Sequence, residues 1–170
     1  MVTAKAGSVT EVPLAGLPAG TYTLSLSSDT PLTATARMVD STKPGEPVDF
    51  AYSPAAARVG DNQLVTLPKG QSSLLSFAAG GAHGSVQLVP VKANGDLGKA
   101  ATVDLNGGTT VVVDPVKLVG ADAVGLVVSA TGDAVYAAQV LSSAKSAGIA
   151  VLPFPSTTAN GHSVNVVLGY

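Results

Sequence analysis

The sequence contains no cysteine and no tryptophan, and residues of either charge are scarce. Without cysteine there is no disulfide bond, no thiolate metal ligand and no cysteine nucleophile. Charged residues make up 12% of the 170 residues and the net charge is −2, which argues against binding to nucleic-acid phosphates. Aromatic residues make up 4%, so few rings are available to stack on bases or sugars. No apolar run reaches the length that a membrane-spanning helix needs.

The residues that are abundant favour an extended backbone. Valine occurs 25 times, alanine 26 times, and serine and threonine together 31 times, whereas isoleucine occurs once, at Ile149. Valine and threonine suit the pleated, half-buried surface of a sheet. Clusters of glycine, proline, asparagine and aspartate interrupt the chain about every 8–12 residues, a spacing typical of short strands. The sequence therefore predicts an all-β sandwich or barrel with little helix.

The clearest predicted strand is Thr21–Ser27, in which apolar and polar residues alternate. Because successive side chains of a strand point to opposite faces, Tyr22, Leu24 and Leu26 are predicted to face the core. A turn follows at residues 28–31, and a second strand completes a predicted hairpin. In that second strand the predicted inward residues are Leu32, Ala34, Ala36 and Met38, and the predicted outward residues are Thr33, Thr35 and Arg37.

The same order of strand, turn and strand returns later in the chain. A shift of 102 residues places Val9–Val39 on Val111–Leu141 without a gap. In this second copy Val124, Leu126 and Val128 are predicted to face inward. The strand after the turn is predicted to point Ala134, Tyr136, Ala138 and Val140 inward, and Val135, Ala137 and Gln139 outward.

A repeat of about 100 residues has the size of an immunoglobulin-like β-sandwich. The predicted organisation is an incomplete first unit in residues 1–62, truncated at its N-terminus, and a second unit in residues 63–170. The second unit ends in a predicted strand, Ser163–Leu168, which pairs back onto the first unit or opens a third. Further strands are predicted at Val48–Tyr52, Leu64–Leu67, Ser73–Phe77, Ser85–Val91 and Lys99–Leu105, with hairpin turns at residues 93–98 and 106–108.

Five strings of residues resemble a known family. They are Val12–Leu24, Pro31–Arg37, Asp49–Pro54, Asn94–Gly98 and Thr109–Asp114. Together they are similar to the C-terminal region of a family of exported actinobacterial proteins with no assigned function. The resemblance implies tandem β-sandwiches outside the cytoplasm and supplies no active-site residues. The sequence departs from the family pattern at Ala78–Gly80, where the related sequences carry Asn-Pro.

Few residues point to catalysis or metal binding. His83 lies in a predicted glycine-rich turn and His162 is distant in sequence, so they do not supply the three or four ligands of a zinc site. Gly161–Asn165 resembles a Gly-x-Ser-x-Gly motif with Ser163 as nucleophile, but Asn165 replaces the second glycine. The acidic residues are scattered through predicted turns. We therefore predict no catalytic residue, no cofactor, no metal site and no enzyme activity.

One predicted surface is apolar where a sheet facing water is normally polar. The outward positions of the second hairpin carry Val127, Val135 and Ala137, where the first hairpin carries serine and threonine. Val89 and Val91 are predicted to extend this patch. Soluble proteins seldom expose such a patch, so these five residues are the candidate interface with the first unit or with another subunit. The alternative is that both faces of this sheet lie inside the fold.

Three functions remain open at this point. The first is a structural or interaction module on a bacterial surface, the second a carbohydrate-binding module, and the third a serine hydrolase that uses Ser163. We expect the first, with a protein or cell-envelope partner, no nucleic acid and no membrane insertion; the oligomeric state is left open. No signal-peptide pattern opens the sequence, so we expect it to be part of a longer exported protein, with Met1 added as a start residue.

Overall fold

The computed structural model describes residues 2–14, 16–18, 20–40, 49–143 and 148–155. Within these ranges the chain forms ten strands and one short helix, and neighbouring strands pair antiparallel. In chain order the elements are β1 (Thr35–Asp40), β2 (Asp49–Pro54), β3 (Gln63–Thr66), β4 (Ser72–Ala79), β5 (His83–Lys92), β6 (Ala101–Asn106), β7 (Thr110–Val113), α1 (Pro115–Val119), β8 (Ala123–Gly132), β9 (Val135–Ser142) and β10 (Ile149–Pro153).

Two four-stranded sheets pack face to face and form a sandwich. The first sheet has the strand order β10-β9-β4-β7, and the second has the order β3-β8-β5-β6. Side chains from both sheets meet in one hydrophobic cluster between them. The prediction of an all-β sandwich is confirmed, while its immunoglobulin-like connectivity and the division of the chain after residue 62 stay predictions. The largest fully buried side chains include Leu75, Phe77, Leu88, Leu105 and Leu126.

Strand β8 has the predicted faces except at its start, whereas strand β9 has them inverted. Leu126 and Val128 are fully buried, as predicted, but Val124 is only half-buried and Ala123 belongs to the core instead. In β9, Val135 and Ala137 are buried and Tyr136 is exposed, so the inward and outward faces predicted for this strand are wrong. The two strands are not a hairpin, because β8 pairs with β3 and β5 while β9 pairs with β4 and β10. The chain crosses from the second sheet to the first after β8. The alternation of inward and outward residues in β8 therefore does not continue in β9.

Gln139 is a polar residue that this inversion places inside the sandwich. Its side-chain amide donates hydrogen bonds to the backbone oxygen of Thr66 and to Oγ of Ser73, both at 2.8 Å. A buried amide is tolerated when its hydrogen bonds are made, because the cost of removing it from water is then offset. Thr66 lies at the end of β3 in the second sheet and Ser73 lies on β4 in the first. The amide of Gln139 therefore joins the two sheets.

The strands predicted for the centre of the chain are confirmed as β2 to β6, with bounds that differ by one or two residues. The turn between β5 and β6 closes a hairpin, and Gly95 in that turn has φ of 89°. The turn at residues 106–108 does not close a hairpin. It carries the chain from β6 in the second sheet to β7 in the first, so that prediction is wrong.

A short helix, which the alternation pattern does not predict, lies between β7 and β8. It follows Asp114, whose side-chain oxygen accepts hydrogen bonds from the backbone N–H groups of Val116 and Lys117. Pro115 stands at the start of the helix, where a backbone N–H would have no helical partner. The pair Asp114 and Pro115 is therefore the local sequence signal for this helix start.

The segment Thr21–Ser27 does not form a strand, although its alternation is the clearest in the sequence. Tyr22 and Leu24 are each 47% exposed and Leu26 is 70% exposed, so the prediction that they face the core is wrong. A strand needs a neighbour to satisfy its backbone hydrogen bonds. The residues that lie 102 positions later form β8, and β8 occupies the place between β3 and β5.

Strands β1 and β2 pair with each other and lie beside β10 at the edge of the first sheet. Ala34, Ala36 and Met38 are half-buried while their neighbours in β1 are exposed, which confirms the predicted faces for these three residues. Leu32 is exposed, contrary to the prediction. The face of β1 that is turned away from water is therefore lined by small and flexible apolar side chains.

The pairs β1–β2 and β9–β10 share one pairing register. Met38 lies opposite Ala51 and, 101 residues later in both strands, Gln139 lies opposite Leu152. The pairs that residues 37, 39 and 40 form with β2 also become pairs of β9 with β10 when 101 is added to both residue numbers. One constant shift therefore relates two antiparallel strand pairs that lie about a hundred residues apart in the chain.

Candidate interaction surfaces

The five residues of the predicted interface do not lie on one surface. Val135 and Ala137 point into the sandwich from β9 and are 0% and 3% exposed. Val89, Val91 and Val127 are half-buried on the outer face of the second sheet. The two buried residues belong to the hydrophobic core because the faces of β9 are inverted, as described above. The structure leaves three of the five residues available to a partner.

These three valines form part of a strip, here called the valine strip, that also includes Leu64. Val127 on β8 lies opposite Leu64 of β3 on one side and opposite Val89 of β5 on the other. Leu64 is 59% exposed, and Val91 lies two residues beyond Val89 on the same face. The alternation of β3 is the signal for Leu64, since its neighbours Gln63 and Val65 are buried. The valine strip is a narrow apolar band across three strands.

A second surface, here called the aromatic patch, consists of Arg37 and Val39 on β1 with Phe50 and Tyr52 on β2. Phe50 and Tyr52 are 55% and 53% exposed, and their ring centres lie 5.7 Å apart in an edge-to-face arrangement. Arg37 lies opposite Tyr52, and Val39 lies opposite Phe50. Aromatic residues and arginine are the side chains that dominate binding energy at protein interfaces. The period-two spacing of Phe50 and Tyr52 is the sequence signal for this surface.

A cleft of about 360 Å³ lies at the end of the sandwich next to α1, with Pro90 and Leu118 in its wall. Lys92 and Asp122 form an ion pair there, with 3.0 Å between Nζ and Oδ2. The hydrogen bond and the positive charge of Lys92 lower the pKa of Asp122 below its usual value. Both side chains are exposed, so the pair has small energetic weight. The charges of this pair neutralise each other, and Lys99 leaves the lining of the cleft with one net positive charge.

A second cleft, of about 330 Å³, lies on the outer face of β5 and β6 and contains a histidine, a serine and an aspartate. Ser85 Oγ donates a hydrogen bond to Asp104 Oδ1 at 3.0 Å. In a nucleophilic triad the serine donates to the histidine, and the aspartate orients that histidine. His83 begins β5 rather than lying in a turn, and its backbone N–H donates to Asp133 Oδ2. The hydroxyl of Ser85 is directed to a carboxylate, so these residues do not form such a triad.

Several predicted features fall outside the described residues. They are His162, the motif Gly161–Asn165 with Ser163, and the strand Ser163–Leu168. Within the described ranges, no group of three or more histidine and acidic side chains is placed to hold a metal ion. The one helix in that part of the chain, α1, lacks the length and apolar character needed to cross a membrane.

The stretch from residue 1 to residue 116 matches a family of unknown function, DUF5719. This chain belongs to DUF5719. No curated protein and no solved structure matches the sequence. The expectation of a family without an assigned function is confirmed, while actinobacterial origin, export and tandem repeats stay predictions.

The DUF5719 match ends within α1, so β8, β9 and β10 lie beyond it. The aromatic patch lies wholly inside the match. Leu64, Val89 and Val91 of the valine strip also lie inside, but Val127 at the centre of the strip does not. The DUF5719 stretch therefore contains one complete candidate surface, which is the aromatic patch.

Proposed function

We propose that this DUF5719 protein is a non-catalytic structural and interaction module of a bacterial protein that is secreted or held at the cell surface. The observation that carries the proposal is the common register of β1–β2 and β9–β10. The size of this shift is the informative part, because it differs by one residue from the shift of 102 residues at which the sequence pattern repeats, as tandem β-sandwich units would produce. Sandwich domains in tandem are a common architecture of cell-surface proteins, where they space and present binding surfaces.

The aromatic patch supports a role in binding. Phe50 and Tyr52 point outward, and the positions 101 residues later carry Val151 and Pro153. The strand pair therefore forms without aromatic rings at these positions, so the fold itself does not require them. Exposed aromatic rings beside an arginine are typical of surfaces that bind a partner. We infer that the partner, a protein or another component of the cell envelope, contacts this patch.

The location outside the cytoplasm is supported by a cysteine-free, charge-poor composition that is rich in serine and threonine. Protease added to intact cells of the source bacterium should remove the protein, while a cytoplasmic protein in the same cells should survive. Recovery of the protein only from the cytoplasm after cell fractionation would contradict the proposal.

The absence of catalysis is tested with a panel of esterase and glycosidase substrates. The protein should give no turnover above buffer, and Ser163→Ala should behave as the natural sequence does. Turnover that Ser163→Ala abolishes would establish a serine hydrolase and overturn the proposal.

A carbohydrate-binding module is a second candidate, which the exposed pair Phe50 and Tyr52 favours, because exposed rings stack on sugars. A glycan array separates the two candidates. Retention on a glycan that is lost in Phe50→Ala/Tyr52→Ala but kept in Tyr136→Ala would establish carbohydrate binding. Tyr136 is the matched control because it is exposed on β9, away from the aromatic patch. No retention on any glycan is the result that the structural module predicts.

A further inference from the structure

We propose that an N-terminal set of strands can bind the same strands as a C-terminal set does, so that β3, β4 and β5 have two alternative partners within one chain. The N-terminal set comprises the segment Thr21–Ser27, Ala34, β1 and β2, and the C-terminal set comprises β8, β9, β10 and the adjoining Phe154. The inference rests on the repeat proposed above. It goes further because it assigns a binding surface to the N-terminal set.

The first strands of the two sets have the same inward pattern. With a shift of 102 residues, Leu24 falls on Leu126 and Leu26 falls on Val128. Leu126 and Val128 are fully buried between the sheets, whereas Leu24 and Leu26 are exposed. A pleated strand with leucine at these alternate positions buries both side chains when it takes that place. The N-terminal set therefore carries the apolar face that the place between β3 and β5 requires.

The strand pairs of the two sets also have matching faces. With the shift of 101 residues, Ala36 falls on Ala137 and Met38 falls on Gln139. Ala36 and Met38 form the less exposed face of β1, and Ala137 and Gln139 form the buried face of β9. Arg37 falls on the outer face of β9. Placed beside β4, β1 therefore directs apolar side chains inward and Arg37 to water.

The DUF5719 match separates the two sets. It covers the N-terminal set and β3 to β7, and it ends before the C-terminal set. The strands β3, β4 and β5 each need a neighbouring strand for their backbone hydrogen bonds, and the C-terminal set supplies it in this structure. Within residues 1–116, the N-terminal set has the alternation that a strand needs to fill the places beside β3, β4 and β5.

The N-terminal set already lies against the sandwich at both edges of the first sheet. Oγ1 of Thr23 is 2.7 Å from Oγ1 of Thr110 on the edge strand β7. At the opposite edge, Oδ2 of Asp49 accepts a hydrogen bond from the backbone N–H of Ile149 on β10 at 2.9 Å. An exchange of the two sets is therefore a rearrangement between neighbours within one molecule.

The C-terminal set fills the sandwich in this structure because it has the larger core residues. Phe154 packs edge-on against Phe77 with 5.8 Å between ring centres, and Val135 is fully buried. Their counterparts 101 residues earlier are Ser53 and Ala34, which would leave part of the core unfilled. Replacing Phe154 and Val135 by these smaller residues should therefore increase the fraction of molecules in which the N-terminal set occupies the sandwich.

The absence of cysteine allows a disulfide assay in the full chain. Leu64 lies opposite Val127 on the outer face of the second sheet, and Ser25 stands 102 residues before Val127. Leu64→Cys with Val127→Cys therefore reports the C-terminal set, and Leu64→Cys with Ser25→Cys reports the N-terminal set. Each pair is placed in the natural background and in the weakened background Val135→Ala/Phe154→Ser, and the disulfide yield is measured by mass spectrometry.

In the natural background the 64–127 pair should oxidise readily, and the 25–64 pair should give a low yield. In the weakened background the yield of the 25–64 disulfide within one chain should rise about tenfold, while the 64–127 yield falls. An unchanged yield of the 25–64 disulfide, or a disulfide that joins two chains instead, overturns the proposal.

Leu24→Asp supplies the matched control. In the natural background it should leave the melting temperature unchanged, whereas in the weakened background it should abolish the 25–64 disulfide and lower the melting temperature. If the double substitution prevents folding, Val135→Ala alone serves as the weakened background. An equal effect of Leu24→Asp in both backgrounds overturns the proposal. A cytoplasmic location or hydrolase activity would overturn the proposed function and leave these disulfide yields as they are.

Discussion

Leu126→Ala should destabilise the protein strongly, because its side chain is enclosed on every side. Leu126 is fully buried on β8, between Val65 of β3 and Pro90 of β5 in the second sheet. Shortening a buried leucine to alanine costs about 2–5 kcal/mol, since apolar contacts are lost and a cavity remains. A central strand with paired neighbours on both sides has little freedom to close that cavity. We therefore expect a loss near the upper end, about 3–5 kcal/mol.

Leu24→Ala is the matched control, because it removes the same atoms from the position 102 residues earlier. Leu24 is half exposed, on a segment that forms no strand. A substitution at such a site changes the free energy of unfolding by about 0.5 kcal/mol or less. The two variants therefore differ in outcome only through their surroundings.

Urea and thermal unfolding followed by far-UV circular dichroism measure both variants, since the chain has no tryptophan to report by fluorescence. A loss of 1 kcal/mol lowers the melting temperature of a protein of this size by about 2–4 °C. Leu126→Ala should therefore lower it by roughly 6–20 °C and Leu24→Ala by at most about 2 °C. Equal losses, or a larger loss for Leu24→Ala, would refute the reasoning, because the N-terminal segment would then be the one inside the sandwich.

Three further predictions concern single side chains. Gln139→Leu removes both hydrogen bonds of a buried amide and should lower the free energy of unfolding by about 1–3 kcal/mol in a urea titration; no loss would contradict the bridging role. The pKa of Asp122 should rise toward its usual value in Lys92→Met, as an NMR titration of the carboxyl would show. Because the folded pKa is lowered, the ion pair contributes its small stability above the ordinary aspartate pKa and loses it as pH falls through the folded value. Gly132→Ala places a Cβ 3.0 Å from a backbone oxygen at φ of 82°, so it should lower the melting temperature more than Gly108→Ala, which meets open space at φ of 72°; equal effects would contradict this.

The alternation of apolar residues predicts β8 correctly and Thr21–Ser27 incorrectly, although the two patterns are nearly the same. The alternation reports which face of a strand would be buried, and it does not report whether a neighbouring strand has a free edge. That second condition depends on competition between distant parts of the chain. Leu126 and Leu24 therefore look alike in sequence and differ in the fold.

The predicted faces of β9 were inverted for a related physical reason. A turn such as residues 133–134 can close a hairpin within one sheet or carry the chain across to the other sheet, and its residue types suit both. The observed orientation of β9 buries Gln139, and the local sequence disfavours burial of a polar side chain. The hydrogen-bond partners that make this burial possible, Thr66 and Ser73, come from other strands. Long-range hydrogen bonds of this kind leave no mark on the local pattern.

The candidate surfaces were predictable only in part. Val89, Val91 and Val127 lie on an outer face, and Val135 and Ala137 do not. The interface prediction includes the last two residues because it rests on the inverted faces predicted for β9. The aromatic patch depends on the pairing of β1 with β2, which brings together residues that are more than ten positions apart. The spacing within one strand predicts its aromatic pair, and the pairing of two strands supplies the arginine.

The outer strands of the sandwich have a consequence for how these molecules behave at high concentration. Of the four edge strands of the sandwich, β3 and β7 have four residues each, β10 has five and lies beside β2, and β6 has six. A second molecule that adds to such an edge gains few backbone hydrogen bonds, so fibril growth along the sheet is unfavourable. The exposed leucines near the N-terminus would otherwise make this chain prone to form ordered aggregates. Short edge strands therefore disfavour amyloid assembly by a protein that carries strand-like apolar segments in water.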